Sequence, residues 1–312
     1  MATYLVTGGG GFIGSNLARA LVERGETVRV LDNFATGREQ NLAALEGKLE
    51  LVRGDIRDAA TVARSMTGVD YVLHQAALPS VPRSIEKPVE AHDVNVNGTL
   101  VLLEAARKAG IKRMIFAASS SAYGETPTLP KVETMAPDPL SPYAVTKLAG
   151  ESYLKVYYTC YGLETVSLRY FNVFGPNQDP QSQYAAVIPR FVTAALEKRQ
   201  PTIYGDGLQS RDFCHIENAI QANLLACTAP GAPGRVFNVA CGVRTTLLDV
   251  LDRLSAIVGH KVTAIHEPGR AGDIKHSLAD ISRARDVLGY TAPVSFEEGL
   301  ARSVEWYRSK RG

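Results

Sequence analysis

The chain has 312 residues, of which 45% are hydrophobic and 21% charged, and its formal net charge is +2. This length predicts a large core and two lobes, and the weak charge gives no reason to expect nucleic acid or an anionic membrane as a partner. A predicted strand follows Met1 at once, and every apolar run stops short of about 18 residues, so we expect no signal peptide, no membrane span and a cytoplasmic location. The four cysteines and six histidines show no metal-binding spacing, which predicts free thiols and no metal site.

A strand, a glycine turn and a helix open the chain. The apolar run at 4–6 predicts a buried strand, and from Ser15 onward the apolar positions fall at helical spacing. Between them the glycines are spaced Gly8-x-x-Gly11-x-x-Gly14. Such a turn lets the backbone approach a pyrophosphate, and the helix N-terminus offers unpaired N–H groups and a positive dipole end. The pattern indicates a dinucleotide site, with a plain strand-turn-helix that binds nothing as the alternative.

An acidic residue ends the next predicted strand. The apolar run at 28–31 leads into Asp32, 18 residues after Gly14. A carboxylate at this distance is placed to meet the ribose hydroxyls of NAD, and it repels the 2′-phosphate of NADP. The spacing therefore favours NAD, while a strand-end turn residue is the alternative interpretation of Asp32.

Strand and helix signals alternate through the first half of the chain. Strands are predicted at 49–52, 71–74, 112–118 and 165–170, and helices at 59–67, 89–109 and 143–158. Repeated β–α units predict a parallel sheet with helices on both faces and ligands beyond the carboxyl ends of its strands. Polar residues follow several of these strands, at Asp32, Asp55, Gln75 and 119–121.

The pattern loosens after residue 175. A short strand is predicted at 201–204, and helices at 187–196, 217–228, 246–258 and 296–308. We expect a dinucleotide-binding domain over 1–175 and a smaller mixed α/β substrate lobe over 176–312, interleaved with the first.

Tyr143 and Lys147 lie one turn apart on one face of a predicted helix. A lysine ammonium beside a phenol favours the phenolate and lowers the phenol pKa from about 10, which suits a general base. Ser119, just after a strand, can hydrogen-bond the same reacting oxygen. The alternative is a surface tyrosine and lysine at a common helical spacing.

These motifs together resemble the extended short-chain dehydrogenases/reductases. Within that group the whole chain resembles the NAD-dependent epimerase/dehydratase family, and most of all UDP-glucose and UDP-N-acetylglucosamine 4-epimerases. The resemblance also covers the segments at 169–176, 205–207, 211–213 and 268–273. It implies a Rossmann-type doubly wound sheet, a UDP-sugar substrate, and a homodimer that packs through the helices around Asn95 and Tyr143.

The resemblance also implies roles for individual residues. The cofactor-binding residues would be Gly8, Gly11, Phe12, Ile13, Gly14, Asp32, Asn33, Asp55, Ile56, Gln75, Ala76, Ala77, Asn95, Tyr143 and Lys147. The catalytic residues would be Ser119, Tyr143 and Lys147, acting through a transient 4-keto sugar. The substrate-binding residues would be Ser119, Ser120, Tyr143, Asn172, Arg211, Arg270, Asp273 and Ser277.

One departure from galactose-type 4-epimerases is Pro79, because many of those enzymes carry a lysine at this position near the cofactor phosphates. A second feature concerns the sugar. In 4-epimerases the residue four positions after the aspartate of the Arg-x-Gly-Asp motif borders the hexose C2 group, and here that residue is Ser277. A small residue there predicts that N-acetyl sugars are accepted as well as plain hexoses; a loop serine without sugar contact is the alternative.

Other functions remain open from the sequence. A 4,6-dehydratase or a decarboxylase begins with the same C4 oxidation, but dehydratases of this family carry an Asp-Glu pair after the catalytic serine, and here Ser120 and Ser121 follow Ser119. A UDP-glucuronate 4-epimerase stays possible because the sugar C6 pocket cannot be read from the sequence. A non-catalytic NAD-binding sensor is disfavoured because Ser119, Tyr143 and Lys147 are all present.

Overall fold

The computed structural model of the chain describes residues 1–180, 186–269 and 275–311. In chain order its strands are β1 (Thr3–Thr7), β2 (Thr27–Asp32), β3 (Glu50–Arg53), β4 (Tyr71–His74), β5 (Arg113–Ser119), β6 (Thr165–Tyr170), β7 (Val173–Phe174), β8 (Thr202–Tyr204), β9 (Ser210–Arg211), β10 (Cys214–His215), β11 (Arg235–Val239), β12 (Thr245–Thr246) and β13 (Ile265–Glu267). Its α-helices are α1 (Phe12–Glu23), α2 (Ala59–Ser65), α3 (Val81–Glu86), α4 (Pro88–His92), α5 (Gly98–Ala109), α6 (Pro142–Tyr161), α7 (Val187–Leu196), α8 (Ile216–Thr228), α9 (Leu247–Val258), α10 (Ser282–Leu288) and α11 (Phe296–Ser309).

Seven parallel strands within the described ranges form one sheet, in the order β11-β6-β5-β4-β1-β2-β3. Side chains alternate between the faces of a sheet, so Tyr4 and Val6 of β1 join one apolar cluster and Leu5 joins another. Helices α1, α8 and α10 cover the first face, and α2, α5 and α6 cover the second. The predicted α/β fold with a doubly wound parallel sheet is therefore confirmed.

The second half of the chain builds a smaller group of elements and also contributes to the sheet. Helices α7, α9 and α11 pack with β8 around an apolar cluster in which the ring of Phe296 contacts those of Phe174 and Phe213. In contrast, β11 pairs with β6 at the edge of the main sheet. The division of the chain at residue 175 stays a prediction, and the sheet itself takes one strand from beyond that point.

The catalytic-motif helix α6 has clear start and stop signals. The Oγ of Ser141 accepts a hydrogen bond from the Ala144 N–H, and Pro142 occupies the first helical position, where its missing N–H costs nothing. Gly162 ends the helix with a φ of 71°, the left-handed conformation that glycine adopts without strain. These caps fix where Tyr143 and Lys147 stand in the first turns.

The structure differs from the sequence prediction in several elements. The helix predicted at 89–109 is α4, a π-helical turn at Asp93–Asn97, and α5. The helices α3 and α10 and the strands β7, β9, β10, β11, β12 and β13 were not predicted. Strand β11 carries the buried Asn238, whose amide oxygen accepts from the Tyr123 hydroxyl and whose amide nitrogen donates to the Lys131 carbonyl. Tertiary hydrogen bonds, which no local pattern encodes, therefore stabilise this strand.

Candidate active site

The carboxyl ends of the central strands open into a cavity of about 1310 Å³. The cavity is lined by most of the residues that the sequence singled out: Gly8, Gly11, Phe12, Ile13, Gly14, Asp32, Asn33, Asp55, Ile56, Gln75, Ala76, Ala77, Ser119, Tyr143, Lys147 and Asn172. Residues from separate β–α units thus converge at one edge of the sheet, as expected for a site at the switch in strand order. A volume of this size accommodates a large, extended ligand.

The glycine turn packs too closely for side chains. At Gly8, whose φ is 69°, a Cβ atom would lie 2.6 Å from the Ala76 nitrogen, and at Gly14 a Cβ would lie 2.2 Å from the Gly8 oxygen. Helix α1 begins directly after this turn with Gly11 as its N-cap, and neither a capping side chain nor an acidic residue occupies its first turn. Its N-terminal N–H groups therefore face the cavity with a positive dipole end, which fits a pyrophosphate.

Asp32 ends β2 with its carboxylate held by the backbone. Its Oδ2 accepts from the Gly10 N–H at 2.8 Å, and its Oδ1 accepts from the Phe34 N–H at 2.7 Å. Burial raises the pKa of this carboxyl, and the two N–H donors act in the opposite direction. Each oxygen keeps a lone pair for a further donor such as a ribose hydroxyl.

Asn33 and Asp55 line the cavity next to Asp32. The Asn33 amide donates to Asp55 Oδ2 at 2.8 Å, and Arg57 binds both carboxylate oxygens of Asp55. The Arg57 guanidinium is the main reason that the pKa of Asp55 falls to about 2. Asp55 is therefore ionised and fixed in place at neutral pH.

Lys147 is buried in the cavity wall, and its ammonium nitrogen donates to the Ala117 carbonyl at 2.7 Å. This Nζ lies 4.8 Å from the ring centroid of Phe116 and 6.0 Å from that of Tyr143. Burial lowers the pKa of Lys147 to about 7. Burial therefore disfavours the charged form of this amine.

The predicted lowering of the Tyr143 pKa is wrong for this structure. Burial raises the pKa of the phenol, and a hydrogen bond with Ser119 opposes that effect only in part. The lysine does not dominate because its nitrogen bonds Ala117, lies 6.0 Å from the ring centroid, and loses charge through its own burial. Desolvation therefore outweighs the ion–phenol attraction on which the prediction relied.

A chain of buried hydrogen bonds runs beneath the cavity wall through His74. The Thr99 hydroxyl donates to the Asn95 carbonyl, so His74 Nε2 must donate to Thr99 Oγ1, at 2.9 Å. His74 Nδ1 is then the acceptor for the Thr7 hydroxyl at 2.8 Å. Burial lowers the pKa of His74 to about 3, which agrees with a neutral ring that has one donor and one acceptor.

Asn95 sits behind the cavity wall. Its Oδ1 accepts from the Leu78 N–H at 2.8 Å, and its Nδ2 donates to Thr146 Oγ1 at 3.0 Å. It is not among the residues that line the cavity, and its predicted contact with the cofactor stays a prediction. Asn95 positions the strand-end backbone against the helix that carries Tyr143, and it does so from the π-helical turn that interrupts its helix.

The predicted substrate residues are partly placed. Asn172 lines the cavity with a φ of 34°, and its Nδ2 donates to the Asp212 carbonyl at 3.2 Å. Arg211 donates to the carbonyls of Ser210 and Lys275, and the Ser277 N–H donates to the Ser210 carbonyl at 3.0 Å. Neither Arg211 nor Ser277 lines the cavity wall as described, nor does Ser120. Arg270 and Asp273 lie outside the described residues.

Sequence analysis missed several residues of the cavity. Tyr170 lines it with a hydroxyl that accepts from Asn223 Nδ2 at 2.7 Å. Arg38 pairs with Asp179 at 2.5 Å, joining the segment after β2 to the segment after β7 across the glycine turn. Only Tyr170 gave a signal in the sequence, as the last residue of a predicted strand.

The chain was compared with known proteins. A model described as the NAD dependent epimerase/dehydratase family matches residues 4–240. The chain belongs to this family. It is an NAD-dependent enzyme, and NAD is the cofactor that the glycine turn and Asp32 fit.

Named relatives of this family resemble the chain over its whole length. The UDP-glucose 4-epimerase of Mycolicibacterium smegmatis is 39% identical over an alignment of 315 positions that covers 98% of each chain. The structure of UDP-N-acetylglucosamine 4-epimerase from Methanobrevibacter ruminantium, in complex with UDP-N-acetylmuramic acid, is 40% identical with a TM-score of 0.94 and covers 99% of each chain. That of Thermotoga maritima UDP-glucose 4-epimerase with UDP-glucose is 37% identical with a TM-score of 0.94, covering 99% of this chain and 100% of that one. The enzyme is therefore similar to UDP-sugar 4-epimerases as a class.

Across residues 1–180, 186–269 and 275–311, no helix is both long and apolar enough to cross a bilayer. The same residues contain no group of three or more His, Cys, Asp or Glu side chains arranged to hold a metal ion.

Cofactor choice can be tested at Asp32. Replacing Asp32→Ser together with Asn33→Arg removes the negative charge and adds a cation beside the ribose position, so NADP should gain affinity relative to NAD. We expect the ratio of the two dissociation constants, measured by isothermal titration on cofactor-free protein, to shift toward NADP by at least about tenfold, or about 1.4 kcal/mol. The exposed Asp252→Ser is the matched control and should leave the ratio unchanged. Equal binding of NAD and NADP by the wild type would refute the role of Asp32.

Proposed function

We propose that this enzyme interconverts the C4 epimers of a UDP-hexose, with NAD retained as a bound and regenerated cofactor. The observation that carries the proposal is the grouping of Ser119, Tyr143 and Lys147 on the wall of the cavity that fits NAD. A phenol, a hydroxyl and an amine at one point of such a cavity are suited to moving a proton on and off a secondary alcohol. The similarity to 4-epimerases over the whole chain supports this reaction class.

In the proposed reaction Tyr143 accepts the proton of the sugar C4 hydroxyl, while Ser119 donates a hydrogen bond to the same oxygen. Ser119 can do so because its Oγ already accepts from the Ser121 N–H at 3.2 Å and the Ser121 hydroxyl at 2.8 Å, which leaves its own proton for a third partner. Removal of the C4 hydride by bound NAD would complete the oxidation to a 4-keto sugar. After the hexose has turned over, the hydride would return to C4 on the opposite face, while Tyr143 gives the proton back to the C4 oxygen. Loose binding of the hexose is thus a requirement of this mechanism.

To act as a base, Tyr143 needs a positive charge nearby that favours its phenolate form. Burial raises its pKa, and Lys147 has a pKa of about 7, so the protein alone holds the phenol protonated at neutral pH. NAD, when bound, supplies the hydride acceptor and, in its oxidised form, a positively charged ring. A phenolate is therefore favoured only in the loaded enzyme, which restricts proton removal to the state that can complete the oxidation.

The proposed mechanism also requires that the protein keep the UDP part of the substrate bound while the hexose turns over. We assign this task to Asn172, Arg211, Arg270 and Asp273, because guanidinium groups bind a diphosphate through paired charge-assisted hydrogen bonds. Arg211 stands at the Lys275 carbonyl, at the border of the segment to which Arg270 and Asp273 belong. Firm diphosphate binding at these residues would let the hexose rotate without leaving the site.

Dehydration is the less suitable reaction for this site. A 4,6-dehydratase needs an additional acid–base pair for C5 and C6, and the two positions after Ser119 hold hydroxyl groups rather than carboxyls. Ser120 and Ser121 form the start of a short 3₁₀ turn that Ser119 caps. Epimerisation needs nothing at these positions beyond the hydrogen bond to the reacting oxygen.

The role of Tyr143 is tested by Tyr143→Phe. The change removes one hydroxyl at the reacting centre and little packing, so the variant should fold, retain NAD and lose about 10²–10⁴-fold in kcat for UDP-galactose, followed by NMR. Tyr153→Phe removes an exposed hydroxyl from the same helix and serves as the control. Activity of Tyr143→Phe within about threefold of the wild type would show that another group is the base.

For the sugar, we propose that both plain and N-acetylated UDP-hexoses are accepted. Ser277 is half-buried, and its N–H is tied to the carbonyl of Ser210, next to Arg211. This backbone bond sets Ser277 beside the proposed diphosphate residues, where the sugar would follow. A serine at that place leaves room for an acetamido group at C2 and can donate a hydrogen bond to its carbonyl.

Substitution of Ser277 separates the two substrate classes. Ser277→Tyr should abolish turnover of UDP-GalNAc by steric exclusion and leave turnover of UDP-galactose within about threefold, since the loss is confined to the C2 substituent. Ser277→Ala keeps the space and should retain both activities. An unchanged ratio of the two activities in Ser277→Tyr would contradict the placement of Ser277 beside the C2 group. A wild type that turned over UDP-galactose but never UDP-GalNAc would contradict the proposal that N-acetyl sugars are accepted.

We further propose that the enzyme is a homodimer that packs through α3, α4 and α6. These helices contact one another and expose apolar side chains, with Val89 at 81%, Ile85 at 62%, Val145 at 51% and Val156 at 48% of full exposure. Val145 and Val156 stand 11 residues apart and therefore share one face of α6. A joined apolar surface of this kind is typical of a contact with a second chain.

Light scattering coupled to size-exclusion chromatography measures the mass of the particle in solution and therefore the number of chains in it. The wild type should elute with the mass of two chains, and Val89→Glu should shift it to the mass of one, because the charge would be buried at the contact. Val243→Glu alters an exposed valine away from these helices and should remain dimeric. The dimer proposal is wrong if the wild type has the mass of a single chain even at a concentration of about 100 µM.

A further inference from the structure

Two cysteines lie together outside the cavity. Cys214 opens β10 and is fully buried, while Cys241 follows β11 and is partly exposed. The Cys241 sulfur accepts from Asn218 Nδ2 at 3.4 Å and from the N–H of His215, the residue next to Cys214. The two thiol groups also interact with each other. Two segments distant in sequence therefore bring their sulfur atoms into one small space.

The backbone on either side of this pair is fixed. The Cys241 N–H donates to Asp212 Oδ1 at 2.9 Å, and the Cys214 N–H donates to the Asn172 carbonyl at 3.3 Å. The Tyr290 hydroxyl lies 3.7 Å from the Cys214 sulfur and donates to the Ala240 carbonyl at 2.8 Å, so one side chain bridges the two segments. The approach of the sulfurs is thus built into the fold rather than dependent on a loop movement.

The surroundings make the two thiols unequal. The hydrogen bond with Cys214 is the main cause that lowers the pKa of Cys241. Burial and the Asp212 charge oppose it, and the Asn218 amide and the His215 N–H at the N-terminus of α8 add to the lowering. The hydrogen bond between the two thiols and complete burial raise the pKa of Cys214. Cys241 is therefore both the more acidic and the more accessible of the pair.

The other two cysteines lack these features. Cys227 is buried, and burial raises its pKa to about 12, so its thiol is inert at neutral pH. Cys160 is exposed on α6, far along the chain from the pair. The four cysteines thus divide into one pair with a built environment, one inert thiol and one exposed thiol that serves as an internal reference.

We propose that Cys214 and Cys241 form a redox-active pair that a peroxide oxidises to a reversible intramolecular disulfide. The Cys241 thiolate attacks one peroxide oxygen, the O–O bond breaks, and Cys241 becomes a sulfenic acid while hydroxide leaves. The Cys214 sulfur then attacks the Cys241 sulfur, the S–O bond breaks, and the hydroxyl leaves as water with the proton of Cys214. Each disulfide reduces one peroxide to two waters, and a dithiol reductant reverses the change.

The experiment uses the reduced, full-length protein and hydrogen peroxide as the probe. After oxidation and alkylation of the remaining thiols, intact mass should show two alkylated cysteines instead of four, and peptide mapping should find 214 joined to 241. Dithiothreitol should restore four alkylated thiols. Cys160→Ser and Cys227→Ser are controls that keep the pair and should still form the link.

Two variants test the order of attack. Cys214→Ser should leave Cys241 as a sulfenic acid that dimedone traps, with labelling at least about tenfold faster than at Cys160, whereas Cys241→Ser should abolish both the link and the labelling. NAD retention reports that each variant is folded, and Cys214→Ala replaces Cys214→Ser if that variant fails to retain it. Oxidation confined to Cys160, disulfides only between chains, or dimedone labelling of Cys241 no faster than of Cys160 would overturn the proposal. These readouts do not depend on any UDP-sugar activity.

Discussion

The site depends on a hydrogen-bond chain that ties the end of the sheet to the helix with the tyrosine and the lysine. It begins at Thr7 on β1, passes through the neutral ring of His74 on β4, and reaches Asn95 through Thr99. Asn95 then divides its amide between Leu78 at the cavity wall and Thr146 on α6. Because every bond in the chain is buried, losing one partner would leave polar groups unsatisfied in a low-dielectric interior, which is far more costly than losing an exposed bond. The chain therefore holds the strand ends and α6 in one fixed relation.

Burial also determines the chemistry of Lys147 and Tyr143. An exposed lysine one turn from a tyrosine would be fully charged at neutral pH, and its effect on the phenol would be screened by water. In the wall, desolvation lowers the pKa of the amine and raises that of the phenol, so the pair is least ionised in the protein alone. A positive charge brought into such a site acts through a low dielectric and therefore has a large effect on the pKa values of nearby groups. Desolvation therefore controls the ionisation of both groups.

The sequence predicts this site well where one residue type is required by local geometry. The roles of Gly8 and Gly14 can be predicted because only glycine fits where a Cβ would lie 2.6 Å and 2.2 Å from backbone atoms. The role of Asp32 can be predicted because it ends a strand at a set distance in sequence from these glycines. The structural roles of Asn95 and Arg38 cannot be predicted from the sequence in the same way. The role of Asn95 depends on a π-helical turn and on a partner 51 positions away, and that of Arg38 on an ion pair 141 positions away. Strand β11 was missed for a related reason, since its hydrogen bonds to distant segments outweigh its weak local pattern.

On the substrate side a single buried carboxylate has the organising role that His74 has on the cofactor side. The Asp212 carboxylate accepts N–H donors from Cys241, Gly242 and Ala279, and its carbonyl accepts from the amide of Asn172. Burial raises the pKa of Asp212 to about 6, and the backbone N–H donors, which include Val243 besides these three, act in the opposite direction because they replace water. The folded state binds this proton more readily than the unfolded state, and the ionised form therefore opposes folding as the pH rises through about 6. That cost is accepted where the segments carrying Cys241 and Ala279 meet the segment that follows Arg211. Removing the carboxylate would leave the N–H groups of Cys241, Gly242 and Ala279 without this acceptor.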